Sequence, residues 1–421
     1  LAKGPDSSNE TGAELAALLA RAEQLQQRGR LQDAYALYLK IVEARPNHAA
    51  ANHELGLLLR RAGQQDNAIE RLRTAAEAEP KNPIYLSNLG VALMDAGRPA
   101  GAVASYEAAL RVDPALAQTR SNLGVALLAL GQVDAAIVAQ RTAIADASDF
   151  AEAHANLARA LIQSGAAEAA ITSLEQAIAL KPNYANAHYY LATAFTALGR
   201  TDRAEAAVRQ AISVQPRNAA AHHLLALLLA QQARLDDAIA SERLALELKP
   251  EPDAYRHLGD LLYASGNDRE AIIAFRAGLA LDGGSAPLHA GLARAQYRLG
   301  GMARAVENFK QALALDPQNE SYSADLAPAL VGAGLLDEAT ALYRAGADAD
   351  PGALGPLGAL IFLGNYSADM PAAEVTQQAV LFGDALAHRE TGKRHRAHPN
   401  ARDPNRRLRV ALVSGDLNQH P

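Results

Sequence analysis

Apolar residues recur along this chain at helical spacing, in short runs that themselves repeat every 34 residues. In one unit they fall at Leu86, Leu89, Gly90 and Leu93, pause at Ala96-Gly97, then resume at Ala102 and Tyr106 before Pro114. This spacing predicts two short amphipathic helices joined by a tight turn. Three columns hold the register. Pro46, Pro80, Pro114, Pro182, Pro216 and Pro250 form the first, with Ser148 in its one gap; after a one-residue deletion Gly283, Pro317 and Pro351 continue it. A turn column runs Gly63, Gly97, Gly131, Gly165, Gly199, Ala233, Gly266, Gly300 and Gly334. A third holds alanine, from Ala34 and Ala68 through to Ala305 and Ala339. Glycine at the turn suits the left-handed cap conformation, and proline stops the second helix before the next unit.

Small residues at Gly56, Gly90, Gly124, Ala158, Ala192, Ala226 and Gly259 let the two helices of a unit approach closely. Tyr38, Tyr106, Phe275, Phe309 and Tyr343 are expected to fill the space between units. The unit resembles the tetratricopeptide pattern, with Leu86 where that family often has Trp. One such pair cannot bury its apolar face alone, so the pairs are expected to stack. The predicted fold is all-α: a right-handed tetratricopeptide-repeat superhelix of about ten repeats over residues 13–351. A flexible tail is expected over 1–12, with Thr11-x-x-Glu14 capping the first helix. Residues 352–390 read as a helical closure of the open end, beginning with an apolar, buried helix over 353–366.

Composition agrees with helix. The chain is 49% hydrophobic but only 5% aromatic, without Cys or Trp, and Ala and Leu favour helix over strand. Absence of Cys excludes a disulfide scaffold, a thiolate zinc site and a cysteine nucleophile. No apolar run reaches membrane-spanning length, so no membrane partner is expected and a cytoplasmic location is. The net charge of −6 conceals a basic segment. Eight Lys/Arg against Glu390 and Asp403 make residues 389–409 a +6 stretch, which leaves −12 on the rest. A nucleic-acid partner is therefore not expected, and the basic stretch reads as a solvated linker over 391–407.

Two ladders on the first helices are candidates for binding. Asn88, Asn122 and Asn156 stand at one place in three successive units, where bidentate amides can hold the backbone of an extended acceptor peptide. Glu54, Tyr190, Leu224, His257, Gly291 and Asp325 occupy that place elsewhere. The second ladder is His154, His188 and His222, with His289 further along. Stacked repeats hold equivalent residues roughly 10 Å apart, too far for these imidazoles to converge on one ion at about 2 Å each. Structural roles are expected for them, and no metal site.

The last residues change character. Leu408-Arg-Val-Ala-Leu-Val-Ser414 is a short β-rich run, followed by a loop with Asp416, Asn418 and His420. Residues 408–421 read as the first strand and loop of an α/β domain, and ligands of such sheets bind beyond the strand ends. Following tetratricopeptide repeats, Arg407-Leu-Arg-Val-Ala-Leu-Val-Ser-Gly-Asp-Leu-Asn-Gln-His-Pro421 resembles the opening of the catalytic region of protein O-linked N-acetylglucosamine transferases and their SPINDLY-type relatives. Leu417 departs by replacing an aromatic residue. The resemblance implies a Rossmann-like glycosyltransferase domain, of which this chain holds the start. It implies inverting transfer of a sugar from a nucleotide donor, UDP-GlcNAc or, in some SPINDLY-type proteins, GDP-fucose, to Ser/Thr of protein acceptors. It implies no cofactor, and places His420 at the active site, as general base or donor-contacting group. It also likens the Asn ladder to that family's asparagine-lined superhelix. The rival reading is a non-enzymatic tetratricopeptide scaffold, and the oligomeric state is left open. Residues 1–421 alone are expected to be inactive; detectable sugar transfer by this chain would overturn that expectation.

Overall fold

A computed structural model of the chain describes residues 7–364 and 370–390. Among them there are 22 helices in tandem and no strand. They divide into two units, the first reaching Gly284 and the second beginning at Ser285.

Unit 1 is built of eight helix pairs. These are α1 (Ser7–Gln27) with α2 (Leu31–Ala44), α3 (Ala49–Arg61) with α4 (Gln65–Ala78), and α5 (Pro83–Asp95) with α6 (Pro99–Val112). Next come α7 (Ala117–Ala129) with α8 (Val133–Asp146), and α9 (Ala151–Gln163) with α10 (Ala167–Leu180). The last three are α11 (Ala185–Ala197) with α12 (Thr201–Val214), α13 (Ala219–Gln231) with α14 (Leu235–Leu248), and α15 (Pro252–Ala264) with α16 (Asp268–Leu281). Unit 2 holds α17 (Ala286–Arg298) with α18 (Met302–Leu315), α19 (Glu320–Gly332) with α20 (Leu336–Ala349), and α21 (Leu354–Gly364) with α22 (Ala372–Glu390).

The local signals act where the pattern puts them. Pro opens α5, α6, α15 and α17, where its missing N–H costs nothing. Asn82 and Asn218 cap α5 and α13 by accepting from Ile84 N (3.2 Å) and Ala221 N (3.1 Å). Each turn glycine takes a left-handed conformation, as Gly97 does at φ +68°. Arg98 N then reaches back to Leu93 O at 2.8 Å, satisfying a carbonyl that the helix end would leave unpaired.

Packing within a pair rests on a small residue facing a large one sixteen positions later. A Cβ at Gly90 would lie 2.5 Å from Tyr106 Cε1, and one at Gly259 the same distance from Phe275 Cε1. Both rings are fully buried, and burying such a side chain is worth roughly 1.5–3 kcal/mol. In unit 2 the same place pairs Ala293 with Phe309 in one core cluster. Each second helix also packs on the first helix of the next pair within its unit. From α3 to α13, first helices of neighbouring pairs touch directly, as α7, α9 and α11 do, so they form a continuous layer. Ion pairs such as Arg98–Asp66 (2.7 Å) tie neighbouring pairs at the exposed corners, where each contributes little.

Two expectations need correction. The first helix begins at Ser7, so residues expected to be loose are helical and Thr11 lies inside the helix rather than at its cap. Its Ala- and Leu-rich sequence carries the helix past the polar start. Secondly, α21 is not buried all round: Leu357, Leu360 and Leu363 are buried, whereas Phe362 is more than half exposed. It packs on α20 and α22, which cover only part of its surface. The residues expected to form the basic linker (391–407) and the strand and loop (408–421) lie outside the described residues.

Ala233 is the one non-glycine residue among those described with positive φ, at +58°. Arg234 N still donates to Leu229 O at 2.9 Å, so the turn has the glycine geometry without glycine. A left-handed alanine costs roughly 1–2 kcal/mol, partly offset by the lower chain entropy of alanine. Ala233→Gly is therefore expected to stabilise the protein by about 0.5–1 kcal/mol, seen as a higher urea midpoint. An unchanged or lower midpoint would show that the turn is not strained.

Candidate functional site

The layer of first helices carries both ladders. Asn88, Asn122 and Asn156 lie half-buried on α5, α7 and α9. The Asn88 amide Nδ2 donates to His53 Nε2 of the preceding pair at 2.8 Å. That assigns the ring proton to His53 Nδ1, which points at Glu54 Oε1 3.0 Å away. Gln26 Nε2 also donates to Glu54, at 2.8 Å, and these bonds, that from His53 foremost, hold the Glu54 carboxyl below its ordinary range. Asn156 Nδ2 donates to Ser121 Oγ of its preceding pair at 3.1 Å. Asn122 instead accepts from Gln118 Nε2 on its own helix (3.2 Å). Two of the three amides thus have one side committed to stacking between pairs, which fixes how the remaining oxygen is presented. Sequence spacing gave no sign of this double duty.

The histidine ladder is structural. His154, His188 and His222 each direct Nε2 to a main-chain carbonyl six residues earlier, at Ser148, Pro182 and Pro216, over 3.3, 2.9 and 2.9 Å. Asn52 makes the same bond to Pro46 O at 2.7 Å, and Arg120 donates to Pro114 O. This column therefore ties down the corner between pairs, whichever donor occupies it. His289 lies apart from that pattern, with Nδ1 3.0 Å from Asn308 Oδ1.

A cluster that the sequence reading missed stands on α13, α14 and α15. Glu242 on α14 is fully buried, and its carboxylate accepts from His223 Nδ1 on α13 at 2.8 and 3.0 Å. His257 on α15 brings Nδ1 to 3.2 Å from the second oxygen, Oε2. That nitrogen is buried and too poorly aligned to make a hydrogen bond. The two rings meet edge to face, with centroids 5.4 Å apart. Burial alone would push the Glu242 carboxyl up, but the hydrogen bonds from His223 and the close approach of the His257 ring outweigh it and hold the carboxyl down. The bond to Glu242 in turn pushes the His223 imidazole up. A sequence signal existed: position 242 belongs to the column of Leu72, Tyr106, Leu174, Val208 and Phe275, where a carboxylate has no apolar reason to be. His420, the candidate catalytic residue, lies outside the described residues.

The likenesses to known proteins follow the fold. A tetratricopeptide-repeat family model matches residues 19–83, 53–118, 87–152, 121–185 and 291–353, and a second matches 161–228. No curated protein matches the chain. Among solved structures, the APC/C hetero-tetramer Cut9–Hcn1 is similar over 75% of this chain and 63% of that one, at 17% identity and a TM-score of 0.52. The chain thus spans less than two thirds of that relative, and the likeness is one of fold. MamA shares 28% identity over 39% of this chain and 95% of its own, with a TM-score of 0.35. PilF of Pseudomonas aeruginosa shares 20% over 49% and 94%, with a TM-score of 0.44. None of the described helices is long and apolar enough to cross a membrane. With the repeat models matching more than half of its residues and helix pairs throughout the described ones, the chain belongs to the tetratricopeptide-repeat family.

Proposed function

We propose that this chain binds extended polypeptide along its layer of first helices, and does so as the acceptor-binding arm of a protein O-glycosyltransferase. The observation that carries the first part is the placement of three amides at one position on α5, α7 and α9, successive members of a layer of touching helices. Amides spaced in this way can pair with the repeating N–H and C=O groups of a peptide without selecting its side chains. The second part is carried by the sequence of residues 407–421, which resembles the opening of a nucleotide-sugar transferase and includes His420. The donor would be UDP-GlcNAc, with GDP-fucose as its competitor. His420 would take the acceptor hydroxyl proton or contact the donor phosphates; an imidazole suits either role near neutral pH.

The peptide claim is tested best at Asn122, whose amide bonds only within its own helix. Asn122→Ala is expected to weaken binding of an extended Ser/Thr-containing peptide several-fold and leave thermal melting unchanged. Asn88→Ala and Asn156→Ala should weaken it too but also destabilise by about 0.5–1.5 kcal/mol each. Unchanged affinity in all three would remove the ladder from the binding surface.

The transfer claim is tested on the full-length protein with labelled UDP-GlcNAc or GDP-fucose and a protein acceptor. Label from one donor should appear on Ser or Thr. His420→Ala should then lower kcat by about 10²–10⁴-fold if the side chain moves the proton, or chiefly raise the donor KM if it contacts phosphate. Acceptor binding without transfer from either donor would leave a tetratricopeptide scaffold as the function.

A further inference from the structure

Glu242 stands where nearly every other pair places a large apolar side chain. A fully buried carboxylate costs several kcal/mol unless cationic partners answer it. The fold has a neutral solution for a polar residue at this place. Gln140, one of the same column, accepts from Ser121 Oγ at 2.8 Å and donates to Ser121 O at 2.7 Å. Both sides of its amide are thereby satisfied by the residue nineteen positions earlier. Position 242 uses the same nineteen-residue pairing, with His223, but holds a charge instead of an amide. It then brings up a second imidazole from the next pair, that of His257, 3.2 Å from the other carboxylate oxygen.

The three side chains converge on one point. One ligand atom from each lies within 4.8 Å of the others. Two ligands bound to a tetrahedral ion at about 2.1 Å stand roughly 3.4 Å apart, so small side-chain rotations suffice to seat an ion. His257 Nδ1 is buried, makes no hydrogen bond and faces the carboxylate at 3.2 Å. The His223 side chain is 35% exposed, which gives the site an opening to solvent.

We propose that His223, Glu242 and His257 bind a divalent transition-metal ion of the Zn2+ class, clamping α13, α14 and α15 across two successive repeats. Two imidazoles and one carboxylate favour Zn2+ and its first-row neighbours over Mg2+ or Ca2+, which prefer all-oxygen shells. Three protein ligands leave the fourth position to water on the open side. The ion neutralises the buried carboxylate and replaces the poorly aligned contact of His257 with a coordinate bond. The site is independent of the peptide ladder and of any sugar transfer.

The repeats themselves supply substitutions that the fold already tolerates. Ser occupies the place of His223 at Ser87 and Ser121, Gln that of Glu242 at Gln140, and Asn that of His257 at Asn88, Asn122 and Asn156. The 421-residue chain, stripped by a chelator, is titrated with ZnCl2 and separately with MgCl2 by calorimetry, alongside His223→Ser, Glu242→Gln and His257→Asn. The expected result is one Zn2+ per chain, no measurable Mg2+ uptake, and a melting temperature that rises with Zn2+ and falls again with chelator. Each substitution should weaken Zn2+ binding at least tenfold with helicity by circular dichroism unchanged. Co2+ in place of Zn2+ should give the visible bands of a low-symmetry, tetrahedral-like site in the wild type alone. No Zn2+ uptake, or uptake that falls less than tenfold in the variants, would overturn the proposal; the latter result would assign the ion to other histidines, such as His395 and His398.

Discussion

The contact between a small residue on the first helix and a large one sixteen positions later sets what each pair can be. Gly90 leaves the space that Tyr106 fills, and Gly259 leaves that of Phe275; a methyl group would collide in either case. Because the second helix is thereby drawn close, its outer side can reach the first helix of the next pair, and stacking follows. The large position is sealed on both sides, and a polar residue there must bring a partner with it. Ser121 answers Gln140, and His223 answers Glu242, each from nineteen positions earlier. The same geometric pairing serves packing in most repeats and chemistry in one.

A second constraint runs between pairs. The first-helix residue that answers the large column also faces the next pair's ladder position: His53 accepts from Asn88, Ser121 from Asn156, and the His223 ring meets that of His257. Ladder residues are therefore members of a seam before they are members of a binding surface. A side chain that serves both must divide its polar atoms between them, which an amide does with little loss because its nitrogen and oxygen point different ways.

Most of the fold was legible because its causes are local and repeated. The 34-residue period, the turn glycines and the proline column each report a backbone requirement that recurs in every pair. Ala233 could be seen to break the glycine column; that it keeps the left-handed turn nevertheless needed coordinates, since neighbouring contacts hold it there. The first helix starts before the apparent cap at Thr11, because the helix-favouring sequence that follows carries it back to Ser7. The histidines at 34-residue spacing drew the eye and proved to be corner ties to carbonyls. The three residues that do converge are unequally spaced, at 223, 242 and 257, and come from two repeats, so periodicity could not group them. Only the oddity of Glu242 in an apolar column pointed there.

The layer of first helices is not chemically uniform, and this bears on how it divides its work. From Asn88 to Asn156 the ladder offers amides; the next places hold Tyr190 and Leu224, and then His257. At about 10 Å per repeat, the metal-ligand cluster lies roughly 30 Å along the stack from the last amide. A peptide held by the amides need not touch it. Clamping three helices of two neighbouring pairs would resist their sliding or opening at the point where Ala233 strains a turn and the repeat spacing loses a residue. In a quasi-linear array, stability is passed only between neighbours, so a weak join anywhere divides the stack. A staple there would let the pairs on either side respond as one to whatever the amides hold.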